Sequence, residues 1–347
     1  MKHPFRVGLT RDFLSASGEL AYKDVGLGLL EETPGLEYDF FESGGVEIQP
    51  EQLQDLDAVI VATPRVTARS LKRIERLALI ARLGVGYDNI DLEACTAADV
   101  MLTICRGAVN NSVAESILCL MQALAKRLFI KDRLTRTGRF RDKIHFMGSD
   151  VAGRVVGSIG LGGIASRLFE LLRPFHLSRA LAYDPYVDPD RAAALGVELV
   201  DFDRVLRESD FVCVNCPLTD ETRGVVDAEA FARMKPTAYF INTARGPIVD
   251  EAALYDALKT GRIQGAASDV FCEEPPPTDH PLFTLDNFIA TPHGISWTDE
   301  LFLANGTMAC QSALAVARGE IPEHVVNTEV LAREGLQAKL ERYRNRT

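Results

Sequence analysis

The sequence predicts an α/β protein with two parallel-sheet lobes, on three observations. Its 347 residues exceed an ordinary single domain of roughly 100 to 200 residues, so two cores are expected. Short apolar runs alternate with helical stretches through the first third, and the same rhythm resumes from Arg154 to Pro292. A glycine turn running from Gly160 to Ala165 joins a strand-like run directly to a helix-like one. The apolar share of 47% and charged share of 25% exclude a disordered or collagen-like chain. A net charge of -11 argues against an electrostatic grip on nucleic acid or an anionic membrane.

Taken in order, RVGLT, LEYDFF, AVIVAT, ALIARLGVG and VMLTI read as strands of a first parallel sheet. Ser112 followed by Glu115 has the spacing of a capping box. The apolar positions Val113, Ile117, Leu120, Met121, Leu124 and Leu128 then predict a long amphipathic helix leading into the second lobe. A second sheet is expected from RVVGSI, RALAYD, FVCVNC, AYFINT, GAASDVF and NFIATP. Asp250 can cap the helix EAALYDALKTG and Gly261 can end it. After Pro292, LFLANGTMACQSALAVARGE reads as a last helix and EGLQAKLERYRNRT as a charged tail. The N-terminus lacks a signal-peptide apolar run, and no stretch approaches the roughly 18 apolar residues of a membrane span, so a cytoplasmic location is expected. Seven scattered cysteines, an odd number, read as reduced thiols.

Gly160, Gly162 and Ala165 form a GxGxxA pattern between strand and helix. There the first glycine permits the tight turn, the second lets backbone approach a pyrophosphate, and the alanine allows close helix packing. A turn serving backbone geometry alone is the other reading. Asp184 closes the next strand, where a carboxylate accepts hydrogen bonds from ribose hydroxyls and repels a 2'-phosphate, which favours NAD; alternatively it is a turn residue before Pro185. Arg245, Glu274 and His293 each follow a strand, at the carboxyl edge where open parallel sheets bind ligands. An Arg can hold a carboxylate with two parallel bonds, and a carboxylate beside a His stabilises the imidazolium as a proton donor to a carbonyl oxygen. Singly, each of the three also reads as an ordinary surface or turn residue; together they suit reductase chemistry.

The segments RLGVGYDNID, NNSVAES, VVGSIGLGGIA, AYDP, NCPLTDETRGVV, FINTARGPIVDEAAL, GAASDVFCEEPP and ATPHG, in this order, resemble the D-isomer-specific 2-hydroxyacid dehydrogenases. That family includes phosphoglycerate dehydrogenase, glyoxylate/hydroxypyruvate reductases and D-lactate dehydrogenase. The resemblance implies two Rossmann-like or flavodoxin-like parallel-sheet domains with a cleft between them. Residues 1–109 and 302–347 would form a discontinuous substrate domain, and 110–301 the NAD domain. It implies an NAD-dependent oxidoreductase moving hydride between nicotinamide and a small 2-oxo or D-2-hydroxy acid. Arg245 would hold the substrate carboxylate and carbonyl, Glu274 would orient and charge His293, and His293 would pass the proton. Gly160, Gly162, Gly163 and Ile164 would lie at the pyrophosphate and Asp184 at the ribose. Cys216, Pro217, Thr243 and Ala244 would line the cofactor, with Asp269 near the carboxamide. Backbone N–H groups of Leu83, Gly84, Val85 and Gly86 would receive the substrate carboxylate, and the protein would be a homodimer.

The chain departs from the family at Ile104-Cys105-Arg106-Gly107, where Asn-Thr-Pro-Gly is frequent, and at Asn215, where many members have His. Arg65 and Arg106 read either as surface residues or as contacts to a second substrate anion. Cys213 and Cys216 form a CxxC on a strand without a second pair, so no metal is expected. His3, His145, His176, His280 and His324 lack ligand spacing and are assigned no role. One alternative is an NADH-sensing, corepressor-like binding protein of the same fold. Formate dehydrogenase-like chemistry is disfavoured, because that branch resembles a Gln at the position of Glu274.

Overall fold

The computed structural model describes residues 4–345; His3 lies outside them. The chain divides into two compact units, one made of the stretch to Val109 with that from Trp297 onward, the other of Asn110–Ser296.

The first unit is a five-stranded sheet of β1 (Phe5–Leu9), β2 (Leu36–Phe40), β3 (Ala58–Val61), β4 (Leu79–Arg82) and β5 (Met101–Ile104). The order is β2-β1-β3-β4-β5 and every pairing is parallel, which is the flavodoxin-like winding. β3 and β5 are buried throughout because both their faces are covered, and Thr103 is the one polar residue in them. The helix Asp299–Ala317 packs Phe302, Cys310 and Val316 into the same core as Val7, Ile60 and Leu79.

The charged tail expected after residue 333 is instead a helix, Glu334–Arg344, with Leu336, Leu340 and Tyr343 fully buried. Spacings of four and three residues place these side chains on one face, a stripe that the surrounding charges mask. The Tyr343 hydroxyl donates to Asp57 Oδ1 at 3.0 Å and to the Arg76 carbonyl at 2.7 Å, and Asp57 also accepts from the Arg6 N–H and the Arg76 guanidinium. Lys339 Nζ donates to the carbonyls of Leu77, Ala98 and Asp99, and burial pushes its pKa down to about 8. Leu340→Ala is expected to destabilise this unit by about 2–5 kcal/mol. Urea unfolding followed by the fluorescence of the sole tryptophan, Trp297, checks this; an unchanged midpoint would restore the tail reading.

The second unit carries β6 (Val155–Ile159), β7 (Arg179–Tyr183), β8 (Glu198–Leu199), β9 (Phe211–Val214), β10 (Tyr239–Asn242), β11 (Gly265–Ser268) and β12 (Phe288–Ala290). Their order, β12-β11-β10-β9-β6-β7-β8, is all parallel and reverses between β6 and β9, the Rossmann arrangement. The apolar pattern does not predict β8. It is two residues long and is held at the sheet edge by a ring of ion pairs joining Arg179 and Arg204 to Glu198 and Glu208.

The helix Asn110–Ala125 begins two residues before Ser112, so the expected capping box does not form: Asn111 Nδ2 donates to Glu115 instead, at 2.7 Å. The helix also stops short of Leu128. Arg127 turns left-handed with φ 52°, and Ser149 N–H caps the Ala125 carbonyl while Gly148 passes close against it. A separate helix, Leu128–Arg136, follows. Asp250 caps Glu251–Lys259 through the N–H groups of Ala252 and Ala253, and Gly261 follows it with φ 70°, as expected.

Candidate active site

The switch between β6 and β9 places two loops side by side. Gly160 has φ 95°, and a Cβ there would lie 2.8 Å from backbone atoms of Asn215 and Cys216, so only glycine fits between these loops. Asn215 helps to shape the same turn, since its Nδ2 donates to Ser158 Oγ, which in turn donates to the Gly160 carbonyl at 2.6 Å. Ala165, in the first turn of the helix Gly163–Leu172, is fully buried. A Cβ on Gly162 would meet nothing within 4 Å, so open space lies before this helix N-terminus. The N–H groups of Gly163 and Ile164 precede its first intrahelical bond, from Ser166 N–H to Gly162 O.

Asp184 joins this turn to the end of β7. Its Oδ2 accepts from Leu161 N–H at 2.8 Å, and its Oδ1 from the N–H groups of Tyr186 and Val187. It thus acts as the turn residue, while a carboxylate with about four acceptor sites keeps capacity for a ribose hydroxyl. Cys216, Thr243 and Ala244 are half-buried at the carboxyl ends of β9 and β10, and Pro217 is exposed. The dinucleotide fits this cradle: a small-residue turn, unbonded helix N–H groups and an acid at the next strand end.

Arg245, Glu274 and His293 all belong to the second unit. His293 Nδ1 lies 2.8 Å from Glu274 Oε2, and the Phe271 N–H donates to Glu274 Oε1 at 2.9 Å. Burial opposes ionisation of Glu274. The hydrogen bonds from His293 and Phe271 and the nearby charge of Arg245 outweigh it and hold the carboxyl below its ordinary range. The ionised carboxylate accepts a hydrogen bond from Nδ1–H, so Nε2 is the atom that exchanges a proton with a ligand. His293 is left-handed at φ 50° in a turn shaped by Asp269, whose Oδ1 accepts from Thr291 Oγ1, Gly294 N–H and Ile295 N–H at 2.6, 3.1 and 3.2 Å.

Asn242, missed in the sequence, shapes the Arg245 turn. Its Nδ2 donates to the Arg245 carbonyl and its Oδ1 accepts from Ala244 N–H, both at 3.0 Å. An Asn closing a strand before a turn is the signal that could have found it. In the first unit, Leu83 N–H bonds Val61 O and Gly84 N–H bonds Arg82 O, so these two amides are already engaged. This narrows the expected carboxylate donors of that loop to Val85 and Gly86. Arg65 and Arg106 are exposed. Among the described residues no group of three or more His, Cys, Asp or Glu could hold a metal, and no helix is long and apolar enough to cross a membrane.

Residues 118–294 match the family model described as "D-isomer specific 2-hydroxyacid dehydrogenase, NAD binding domain". The chain is 38% identical over 285 residues to a glyoxylate reductase of Korarchaeum cryptofilum, covering 81% of this chain and 86% of that protein. The chain belongs to the D-isomer specific 2-hydroxyacid dehydrogenases. A D-3-phosphoglycerate dehydrogenase of Methanocaldococcus jannaschii is 39% identical over 295 residues, 84% of this chain but 56% of that protein, so the chain spans little more than half of this relative. The solved TT0316 protein of Thermus thermophilus superposes with a TM-score of 0.81 at 28% identity, covering 93% of this chain and 100% of that one. As a family member the second unit is an NAD-binding domain, in agreement with the cradle at Gly160–Ala165.

Proposed function

We propose that the protein interconverts a small 2-oxo acid and the corresponding D-2-hydroxy acid with NAD(H). The observation that carries this reading is the 2.8 Å contact of His293 with a Glu274 held ionised, with the charge of Arg245 beside it. NAD(H), when bound, supplies or accepts the hydride. Arg245 holds the substrate carboxylate. His293 Nε2 gives its proton to the carbonyl oxygen during reduction and takes it back during oxidation. Glu274 keeps the ring oriented and stabilises its charged form. Asp269 contributes through the turn that carries His293. The family relation and the names of the relatives support this class of substrate.

Following absorbance of NADH with glyoxylate, hydroxypyruvate, pyruvate and 3-phosphohydroxypyruvate tests the reading. Turnover with at least one is expected; NADH binding without turnover on any 2-oxo acid would favour the sensor alternative.

A homodimer is proposed through residues 128–147 of the second unit. Leu128, Phe129, Phe140, Ile144 and Met147 are each more than half exposed there, and a surface cavity of about 300 Å³ opens beside Phe129 and Phe146. So much exposed apolar surface on one segment is the usual mark of an interface. Sedimentation should give twice the chain mass, and Phe129→Asp should shift it to the monomer; a monomeric parent protein would remove the proposal.

A further inference from the structure

The peptide between Phe271 and Cys272 is a junction of the site. Phe271 N–H binds Glu274 Oε1, while the next amide, Cys272 N–H, points elsewhere and binds Glu251 Oε1 at 2.8 Å. The same peptide lies against Gly246: a Cβ there would fall 2.0 Å from the Phe271 carbonyl carbon and 2.4 Å from Cys272 N. Gly246 follows Arg245 directly, so this peptide is in backbone contact with the Arg245 turn, while the adjoining Val270–Phe271 peptide supplies the N–H that binds Glu274.

Glu251 is itself fixed. It is the first residue of the helix capped by Asp250, and its Oε2 lies 3.3 Å from His280 Nε2. The Leu282 N–H is directed at His280 Nδ1, at 3.4 Å, so Nδ1 is the acceptor and Nε2 carries the proton toward Glu251. Phe271 and Phe283 pack on the His280 ring with centroids 5.7 and 5.2 Å away, and the Glu251 and His280 side chains are 20% and 13% exposed. A continuous chain therefore runs from Leu282 N–H through His280 and Glu251 to Cys272 N–H, one residue from the amide that holds Glu274.

We propose that Glu251 and His280 are positioning residues for the reaction, clamping the Phe271–Cys272 peptide so that Arg245 and Glu274 keep the spacing needed to serve one substrate. Neither touches the reacting groups. This rests on the proposed dehydrogenase reading and adds to it the pair that sets the geometry. Displacing a catalytic group by about 1 Å can lower a rate about a hundredfold, and an unanchored Cys272 amide permits such a displacement.

The test compares Glu251→Ala, Glu251→Gln and His280→Asn in the full chain, with a 2-oxo acid reduced by the parent protein. Glu251→Ala is expected to lower kcat about ten- to a hundredfold with the Kd for NADH and the KM for the oxo acid within about twofold. Glu251→Gln keeps an oxygen for the Cys272 amide but turns its NH2 toward His280 Nε2–H, so it should fall severalfold below the parent and stay well above Glu251→Ala. His280→Asn keeps a cap for Leu282 N–H but loses the contact with Glu251, and should lower kcat severalfold. If Glu251→Ala does not fold, His280→Asn decides. Parent-like kcat in Glu251→Ala, or in His280→Asn where the former is not obtained, overturns the clamp and leaves the dehydrogenase reading standing. So does a Glu251→Gln protein as slow as Glu251→Ala. A parent protein that reduces no oxo acid overturns the dehydrogenase reading and the clamp with it.

Discussion

Replacing His293 by Gln is expected to lower the rate of 2-oxo acid reduction about a hundred- to ten-thousandfold while NADH binding is kept. That is the range by which a positioned general acid accelerates such a step. Gln can occupy the space and contact Glu274, but it has no proton to release at neutral pH. Steady-state rates with a titration of NADH fluorescence check both halves; equal rates would remove His293 from the mechanism. Glu274 sets the acid side of the same behaviour. Its carboxyl is held below the ordinary range although burial opposes this. A depressed acid makes its full contribution above the ordinary carboxylate value and loses it only as pH falls through the lowered one. The His293–Glu274 pair should therefore persist through mildly acidic solution.

Arg245→Lys is expected to lower kcat/KM for the oxo acid by about a hundred- to a thousandfold, the usual loss on removing one charged donor aimed at the reacting end of a substrate. Lysine keeps the charge but cannot present two parallel N–H bonds from a planar fork. It also cannot reproduce the bond from Arg245 Nη1 to the Ala244 carbonyl at 2.6 Å that sets the guanidinium plane. The effect should fall on the oxo acid and leave the Kd for NADH near that of the parent. A variant with parent-like kcat/KM, or one that loses only NADH affinity, would place Arg245 with the cofactor rather than with the substrate.

Both sheets were legible because buried parallel strands are runs of apolar residues bounded by polar ones. β8 escaped because two residues at an edge make no run. The C-terminal helix escaped because its three buried positions, Leu336, Leu340 and Tyr343, are diluted by Glu, Lys and Arg, one of which, Lys339, is itself buried with its amine on carbonyls. At the site, Gly160, Asp184 and the three catalytic candidates stand at strand ends, where local pattern and chemistry coincide. Asn242, Glu251 and His280 do not announce themselves. Asn242 works on a turn that exists only once β10 ends there, and Glu251 reaches an amide 21 residues away and an imidazole 29 residues away, pairings set by the sheet order. The engaged amides of Leu83 and Gly84 were equally invisible, since their acceptors are carbonyls of neighbouring backbone.

The central claim is met most directly by a crystal structure of the protein with NADH and oxamate, an unreactive analogue of a 2-oxo acid. The predicted result has the oxamate carboxylate paired with the Arg245 guanidinium and its carbonyl oxygen about 3 Å from His293 Nε2, with Nδ1 still on Glu274. Oxamate bound away from Arg245, or an imidazole turned from it in a complex that holds both ligands, would contradict the account.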